Sequence, residues 1–263
     1  MKQKIEQLGK RSVNALEELG YAVSILYQSL YWLVLGKFQR QPVNLPLIAT
    51  QMMQIGVSAT FIVVVLCFSV GMMLAIQGLE TLKPYGAQTQ VVTGIALAVS
   101  REFAALITGI IVAGRSGSAI AARIGTMQES QEIDALRVIG INPVRYLAAP
   151  ALLAMVLVMP VLTLFGMFMG MFGASVYTFF ELGMPIEIYM SRSFEVISLS
   201  DLLQGLSKSI LFAVLIVLVS VINGFQVKGG AEGVGLATTR SVVMSISAIV
   251  IADMLVTFFI TRL

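Results

Sequence analysis

The sequence predicts an all-α polytopic membrane protein, because of its composition and the length of its apolar stretches. Hydrophobic residues make up 57% of the 263 positions and charged residues 12%, whereas roughly a quarter of the residues in soluble domains are charged. Five apolar windows are long enough to cross about 30 Å of hydrocarbon as helices. They cover residues 55–77, 91–113, 146–172, 205–227 and 241–260. We expect these windows to belong to a single domain over residues 1–263.

The third window has two features of its own. It opens a charge-free run that reaches Phe180, which is longer than one perpendicular helix requires and predicts tilt, an extended end or a bend. It also carries a GxxxG pattern at Gly166 and Gly170. Small residues at this spacing let helices approach closely, and the sequence leaves open whether the neighbour lies in the same chain or in a second copy.

Several kinds of chemistry are excluded by composition. The chain has no histidine and a single cysteine, Cys67, inside the first window. Disulfides within the chain, cysteine-rich metal sites and histidine-based catalysis are therefore ruled out. We predict no catalytic residue, no metal and no cofactor. The net charge of +3 is too small and too scattered to indicate a nucleic-acid partner.

The N-terminal region, residues 4–36, predicts an amphipathic helix lying in the membrane interface. Its apolar residues follow a 3–4 spacing, and its tyrosines and tryptophan favour the headgroup level. No apolar signal-peptide core precedes it, so we expect this region to be retained. The competing interpretation is a sixth transmembrane span over residues 19–36.

The distribution of basic residues predicts the orientation. With five spans and the N-terminus inside, twelve Lys and Arg residues fall on the cytoplasmic side and four on the other. Basic residues concentrate on the cytoplasmic side of membrane proteins. We therefore expect a cytoplasmic N-terminus and a periplasmic C-terminus.

A polar segment, Gly114 to Arg145, separates the second and third windows. Within residues 125–140, Ile133, Leu136 and Ile139 recur at a spacing that makes one side of a short helix apolar. A cytoplasmic helix of this kind suits docking to a soluble partner, although an ordinary solvated loop is the alternative. The residues assigned to ATPase coupling are Glu129, Glu132, Asp134, Leu136 and Arg137. The chain has no GxxxxGK[ST] phosphate loop, so we expect a separate subunit to bind ATP.

Charged residues inside the spans need an explanation, because each costs a few kcal/mol to insert. Arg101 and Glu102 lie in the second window and Asp253 in the fifth. Adjacent helical residues point about 100° apart, so Arg101 and Glu102 should each find another partner, and Lys208 is a candidate mate for an acid. Two interpretations stay open: interhelical charge pairs that hold the bundle, or a polar lining for a lipid headgroup.

Four motifs resemble the MlaE/YrbE permease family. They are the stretch AGRSGSAIAARIGTMQESQEIDALRVIGINPVRYLAAP at Ala113 to Pro150, SREF at Ser100 to Phe103, the Asn223–Gly224 pair, and ATTRSVV at Ala237 to Val243. The resemblance implies the permease subunit of an ABC transporter in the bacterial inner membrane. Such a subunit moves phospholipid to or from a periplasmic MCE-domain partner and helps to maintain outer-membrane lipid asymmetry.

The resemblance also implies partners and a lipid site. The partners would be a second permease copy, a cytoplasmic ATPase of the MlaF kind, an MCE-domain subunit of the MlaD kind, and in some systems a STAS-domain subunit of the MlaB kind. A pocket between two permease copies would be lined by Leu74, Leu82 and Tyr85. The charged residues Arg101, Glu102, Lys208 and Asp253 complete the expected substrate-binding set.

Two other functions are compatible with the residues alone. A secondary transporter could use Arg101, Glu102 and Asp253 as an ion relay, in which case transport would follow the proton gradient and need no ATPase. An assembly scaffold would carry no lipid at all.

Overall fold

The computed structural model describes residues 20–33, 35 and 45–262, and this part of the chain contains helices and no strand. Helix α1 covers residues 20–33. The other α-helices are α2 (Leu45–Leu82), α3 (Gln90–Ala98), α4 (Ala104–Val112), α5 (Ser118–Glu129), α6 (Glu132–Val138), α7 (Ala149–Leu182), α8 (Ile186–Val196), α9 (Leu199–Phe225) and α10 (Gly230–Arg262). Three π-helical turns lie between them, at Val99–Phe103, Ala113–Gly117 and Val144–Ala148.

Five of the described helical runs are long and apolar enough to cross a membrane. They are Pro46–Tyr85, Gln90–Glu129, Val144–Leu182, Leu199–Phe225 and Gly230–Ile260. The all-α polytopic fold is therefore confirmed. Four of the five runs extend well past the predicted windows, because flanking polar residues continue the helices beyond their apolar parts.

The largest extension is in the second span, which continues through Ala113 to Glu129. The sequence places this stretch in the polar segment outside the second window. In the structure, Ile120, Ala121, Ile124 and Gly125 form a buried face of α5, which packs against α9 and α10. The polar residues lie on the opposite face, so half of the polar segment is a helix with one apolar side.

Helices α2 and α7 pack closely against each other. A Cβ on Gly71 would lie 1.8 Å from the Gly170 carbonyl oxygen, and a Cβ on Gly173 would lie 2.1 Å from that of Phe68. Neither position could hold a side chain without separating the helices. The small-residue stripe on α7 therefore packs against a helix of the same chain, which answers the question that the GxxxG pattern left open.

Helix α1 lies beside the ends of the third and fourth spans. Ile25 is buried in the main core, whereas Val23 and Tyr27 are exposed. The Arg145 guanidinium lies 5.3 Å from the centre of the Trp32 ring, a cation–π distance. This position agrees with the predicted interfacial helix; residues 4–19, 34 and 36 lie outside the described residues.

The connections that follow the third and fourth spans are short. Helix α8 joins the third and fourth spans and is anchored by the fully buried Tyr189. Between the fourth and fifth spans, Gly229 and Gly230 adopt φ values of 100° and 69°, which favour glycine. Helix α10 begins at Gly230, so the glycine-rich stretch before the fifth window forms the first turns of the span.

Candidate functional site

A wide helical turn presents the two charged residues of the second span. Arg101 and Glu102 both lie in the π-helical turn Val99–Phe103, a type of turn that is frequent at functional sites. Helix α9 approaches this turn closely, because a Cβ on Gly205 would lie 2.2 Å from the Ser100 carbonyl oxygen. The absence of a side chain at Gly205 therefore brings α9 within reach of both charges.

Arg101 pairs with an acid at the start of α9. Its Nε lies 2.7 Å from Oδ1 of Asp201, whose side chain is 5% exposed. The other carboxylate oxygen, Oδ2, accepts a hydrogen bond of 2.8 Å from the Ser198 backbone N–H. Ser198 and Asp201 form a capping box at the start of α9. The cap thus fixes the carboxylate that receives Arg101.

Glu102 belongs to a second cluster around Lys208, whose side chain is fully buried. Lys208 Nζ contacts Glu102 Oε2 directly, lies 2.9 Å from Asp253 Oδ1, and donates a 2.7 Å hydrogen bond to Thr257 Oγ1. One lysine thereby joins the second, fourth and fifth spans. Two carboxylates face this one ammonium group, so the cluster carries excess negative charge when all three groups are ionised.

Both charge clusters border one cavity of about 850 Å³. Its polar lining includes Arg101, Glu102, Gln204 and Ser207. Apolar side chains complete the wall: Leu97, Ala98, Leu203 and Ile260. A cavity of this size with charged and apolar walls can receive a molecule that has both a polar group and hydrocarbon.

The structure brings together four of the seven residues predicted to bind substrate: Arg101, Glu102, Lys208 and Asp253. The pairing inference is also confirmed, because Arg101 and Glu102 have different partners. Sequence reasoning missed Asp201 and Thr257. A signal for Asp201 was present, since Ser198 followed three residues later by an acid before an apolar run is typical of a capping box.

The other three predicted residues lie elsewhere. Leu74 and Leu82 are half-buried and pack against a second core cluster, which includes Leu79, Val91 and Tyr189. Tyr85 is 79% exposed. None of the three lines the 850 Å³ cavity, so their assignment to a lipid pocket stays a prediction that involves a second copy.

The predicted coupling segment, residues 125–140, is not one helix. Residues up to Glu129 end α5, Gln131 adopts a left-handed φ of 61°, and α6 occupies Glu132–Val138.

Helix α6 combines one buried anchor with an exposed outer surface. Ile133 is fully buried, whereas Val138 is 89% exposed. Leu136 is half-buried, and Ile139, beyond the helix, is exposed. The predicted apolar side is therefore divided between the core and solvent.

Charged groups surround this outer surface. Asp134 and Arg137 form an exposed pair with an N–O distance of 2.9 Å, and Glu132 accepts a hydrogen bond from Ser130. Half-burial raises the pKa of the Tyr21 hydroxyl on α1, and the charge of Arg137 partly offsets this. The segment carries apolar and charged groups that a soluble protein could contact.

Comparison with known proteins gives a consistent result. The sequence profile of a family described as Permease MlaE matches residues 48–259. The chain is 31% identical over 254 residues to the intermembrane phospholipid transport system permease protein MlaE of Haemophilus influenzae, covering 96% of this chain and 95% of that protein. It is 30% identical to a probable ABC transporter permease protein of Rickettsia typhi, with 95% of each chain covered. It is also 39% identical over 190 residues to the chloroplast protein TRIGALACTOSYLDIACYLGLYCEROL 1 of Arabidopsis thaliana, covering 72% of this chain and 54% of that protein.

Proposed function

The chain belongs to the MlaE permease family, and from this premise we propose that it is the membrane subunit of an ABC transporter that moves phospholipid. The transfer would run between the inner membrane and a periplasmic MCE-domain partner. The relatives of the chain include a probable ABC transporter permease and a phospholipid transport permease. In this proposal the chain supplies the lipid path, and a separate ATPase supplies the energy.

The observation that carries the proposal is the continuity between the charged cavity and the exposed helix α6. The cavity is bordered by Arg101 and Glu102 on the second span. The same helical run continues to Glu129, and α6 follows after two residues. An ATPase bound at α6 would therefore act directly on the span that lines the cavity.

Charge reversal on α6 tests the docking step. The double substitution Glu132→Lys and Asp134→Lys should strongly reduce copurification of the ATPase, because it inverts the charge of the exposed surface. Folding should be preserved, since the Asp134–Arg137 pair is exposed on both sides and such pairs contribute about 0–1 kcal/mol.

A matched control reverses two exposed acids on α8, Glu187→Lys and Glu195→Lys. This variant should retain the ATPase. Undiminished ATPase binding in the α6 variant, or equal loss in the α8 control, would contradict docking at α6.

We propose that the transported lipid lies in a space completed by a second copy of the chain. A single copy leaves an apolar stripe exposed on α2, with Met53, Val57 and Phe61 between 68% and 75% exposed. Bilayer lipid or a second copy can cover such a stripe. The resemblance favours a homodimer with Leu74, Leu82 and Tyr85 near lipid.

Photo-crosslinking tests this assignment. A photoreactive residue at Leu82 or Tyr85 should capture phospholipid in the purified complex. The matched control position is Phe259, which is 59% exposed on α10 and should label less and without headgroup preference. Equal labelling at all three positions would mean that no defined pocket exists there.

The ion-coupled alternative retains one supporting observation, the buried Lys208 between Glu102 and Asp253. Buried ionisable groups of this kind occur in proton relays. Transport by reconstituted complex should separate the two functions. Dependence on ATP without a proton gradient supports the ABC transporter, and the reverse result supports the ion relay.

A further inference from the structure

A second polar cavity lies at the other end of the second span. It has a volume of about 250 Å³, several times the roughly 30 Å³ that one water molecule occupies in the liquid. It is lined by the first turns of α2 and by the wide turn Ala113–Gly117 with the start of α5. Arg115, on its wall, is fourteen residues from Arg101, or about 21 Å along a helix. The two cavities therefore lie toward opposite ends of this helical run.

The lining of this cavity is positive and has no acid. Arg115 and Arg123 contribute two guanidinium groups, while Gln51, Gln54 and Ser58 contribute neutral polar groups. No ion pair joins either arginine to another residue within the part of the chain that the structure describes. Elsewhere, Arg101 and Arg137 each have a carboxylate partner. Among the residues that the structure describes, no acidic side chain pairs with the positive charge in this cavity.

Buried polar atoms without partners point to a missing ligand. Gln51 is 4% exposed, and neither its amide nitrogen nor its amide oxygen has a hydrogen-bond partner among residues 20–33, 35 and 45–262. The buried Nε of Arg123 also lacks a partner among these described residues. Buried polar groups are normally hydrogen-bonded, and leaving one unpaired costs about 1–3 kcal/mol. Two such side chains on one cavity wall indicate a site that is completed by something it binds.

From these observations we propose that the cavity binds the phosphate group of a phospholipid from the cytoplasmic leaflet. Guanidinium groups and amide donors are the groups that recognise phosphate in proteins. Ile55 and Ile120 line the same cavity, so the glycerol and upper acyl carbons would have apolar contacts. This site deepens the proposed transport function, since it would hold lipid on the side opposite the charged 850 Å³ cavity.

A photoreactive residue at Ala119, an exposed position on the cavity wall, tests the site by binding alone. The complex is reconstituted in nanodiscs that contain phosphatidylglycerol, and the lipid that becomes crosslinked to the protein is measured. A second photoreactive position, Ser207, reports the 850 Å³ cavity. We expect phosphatidylglycerol capture at Ala119, and at least tenfold less capture of diacylglycerol with the same acyl chains, which lacks the phosphate.

Two substitutions should lower capture at Ala119 without lowering it at Ser207. Arg123→Gln removes a positive charge and should weaken binding about tenfold, as expected for loss of a charge-assisted hydrogen bond. Gln51→Leu removes only the buried amide and should be tolerated by the fold. Arg192→Gln, at an exposed position on α8, is the charge-matched control outside the cavity and should leave capture unchanged.

Each outcome has a distinct meaning. Equal capture of phosphatidylglycerol and diacylglycerol, or unchanged capture in both cavity variants, would overturn the proposal. Displacement of the lipid by millimolar inorganic phosphate would assign the site to a soluble anion and overturn the membrane source. Capture at Ser207 without capture at Ala119 would refute this site and leave the proposed transport function intact. Capture at Ala119 without capture at Ser207 would support this site.

Discussion

Replacing Lys208 with methionine tests how strongly the buried charge cluster holds the bundle. The substitution keeps a flexible apolar chain of similar length and removes the ammonium group that contacts Glu102, Asp253 and Thr257. Breaking a buried ion pair on one side costs about 3–5 kcal/mol, because the other charge is left uncompensated. The Glu102 and Asp253 side chains are 30% and 15% exposed, so water compensates part of this loss. We therefore expect the substitution to lower the free energy of unfolding by about 3 kcal/mol.

Thermal unfolding of the purified protein in detergent measures this effect. For a chain of this size, each kcal/mol corresponds to roughly 2–4 °C in Tm, so the Lys208→Met variant should melt about 6–12 °C lower. Adding Glu102→Gln and Asp253→Asn should restore most of the lost stability, since neutral groups of similar shape need no counter-charge. The comparison variant is Lys83→Met, which breaks the exposed Lys83–Glu181 pair at 3.6 Å and should change Tm little.

The result that would refute this reasoning is a Tm for Lys208→Met equal to that of Lys83→Met. A triple variant no more stable than Lys208→Met would also contradict it. In that case the Glu102 and Asp253 carboxylates would be solvated through the cavity, and the ammonium group of Lys208 would not stabilise the helix packing.

Two further predictions concern the π-helical turn Val99–Phe103. Gly205→Ala would place a Cβ 2.2 Å from the Ser100 carbonyl oxygen. We expect overpacking to lower the free energy of unfolding by about 1–3 kcal/mol, measured as a lower Tm. A variant as stable as wild type would show that α9 can shift freely. In double-mutant cycles, Arg101→Ala and Asp201→Ala should couple by more than about 0.5 kcal/mol, whereas Arg101→Ala and Glu102→Ala should be nearly additive. A larger coupling energy between Arg101 and Glu102 than between Arg101 and Asp201 would contradict the observed pairing.

The fold could be predicted from sequence because hydrocarbon imposes a simple length and polarity requirement on each span. The same requirement explains why the predicted end of the second span was wrong. A window that stops at the first polar residues ends the helix at Ala113, yet Ile120, Ile124 and Gly125 continue a buried face for three more turns. Outside the hydrocarbon, a helix needs only one apolar side, so hydropathy underestimates its length.

The sequence predicted which charged residues belong to the site but not the residues with which they form ion pairs. Arg101, Glu102 and Asp253 are recognisable because charges are rare within spans. Their partners depend on which helices are neighbours and on how closely they approach. Gly205 permits the approach of α9, and nothing local to Arg101 identifies Asp201, which is 100 residues further along the chain.

The second span unites the sites that sequence reasoning treated separately. One helical run from Gln90 to Glu129 carries the wide turn beside the 850 Å³ cavity, the wide turn beside the 250 Å³ cavity, and the connection to α6. Each of these two turns contains an arginine that lines its cavity. Because Ile133 fixes α6 in the core and α5 packs against α9 and α10, a displacement of α6 cannot be absorbed by a loose loop. We expect it to be taken up where the regular hydrogen bonding of the span is interrupted, at the two turns that border the cavities.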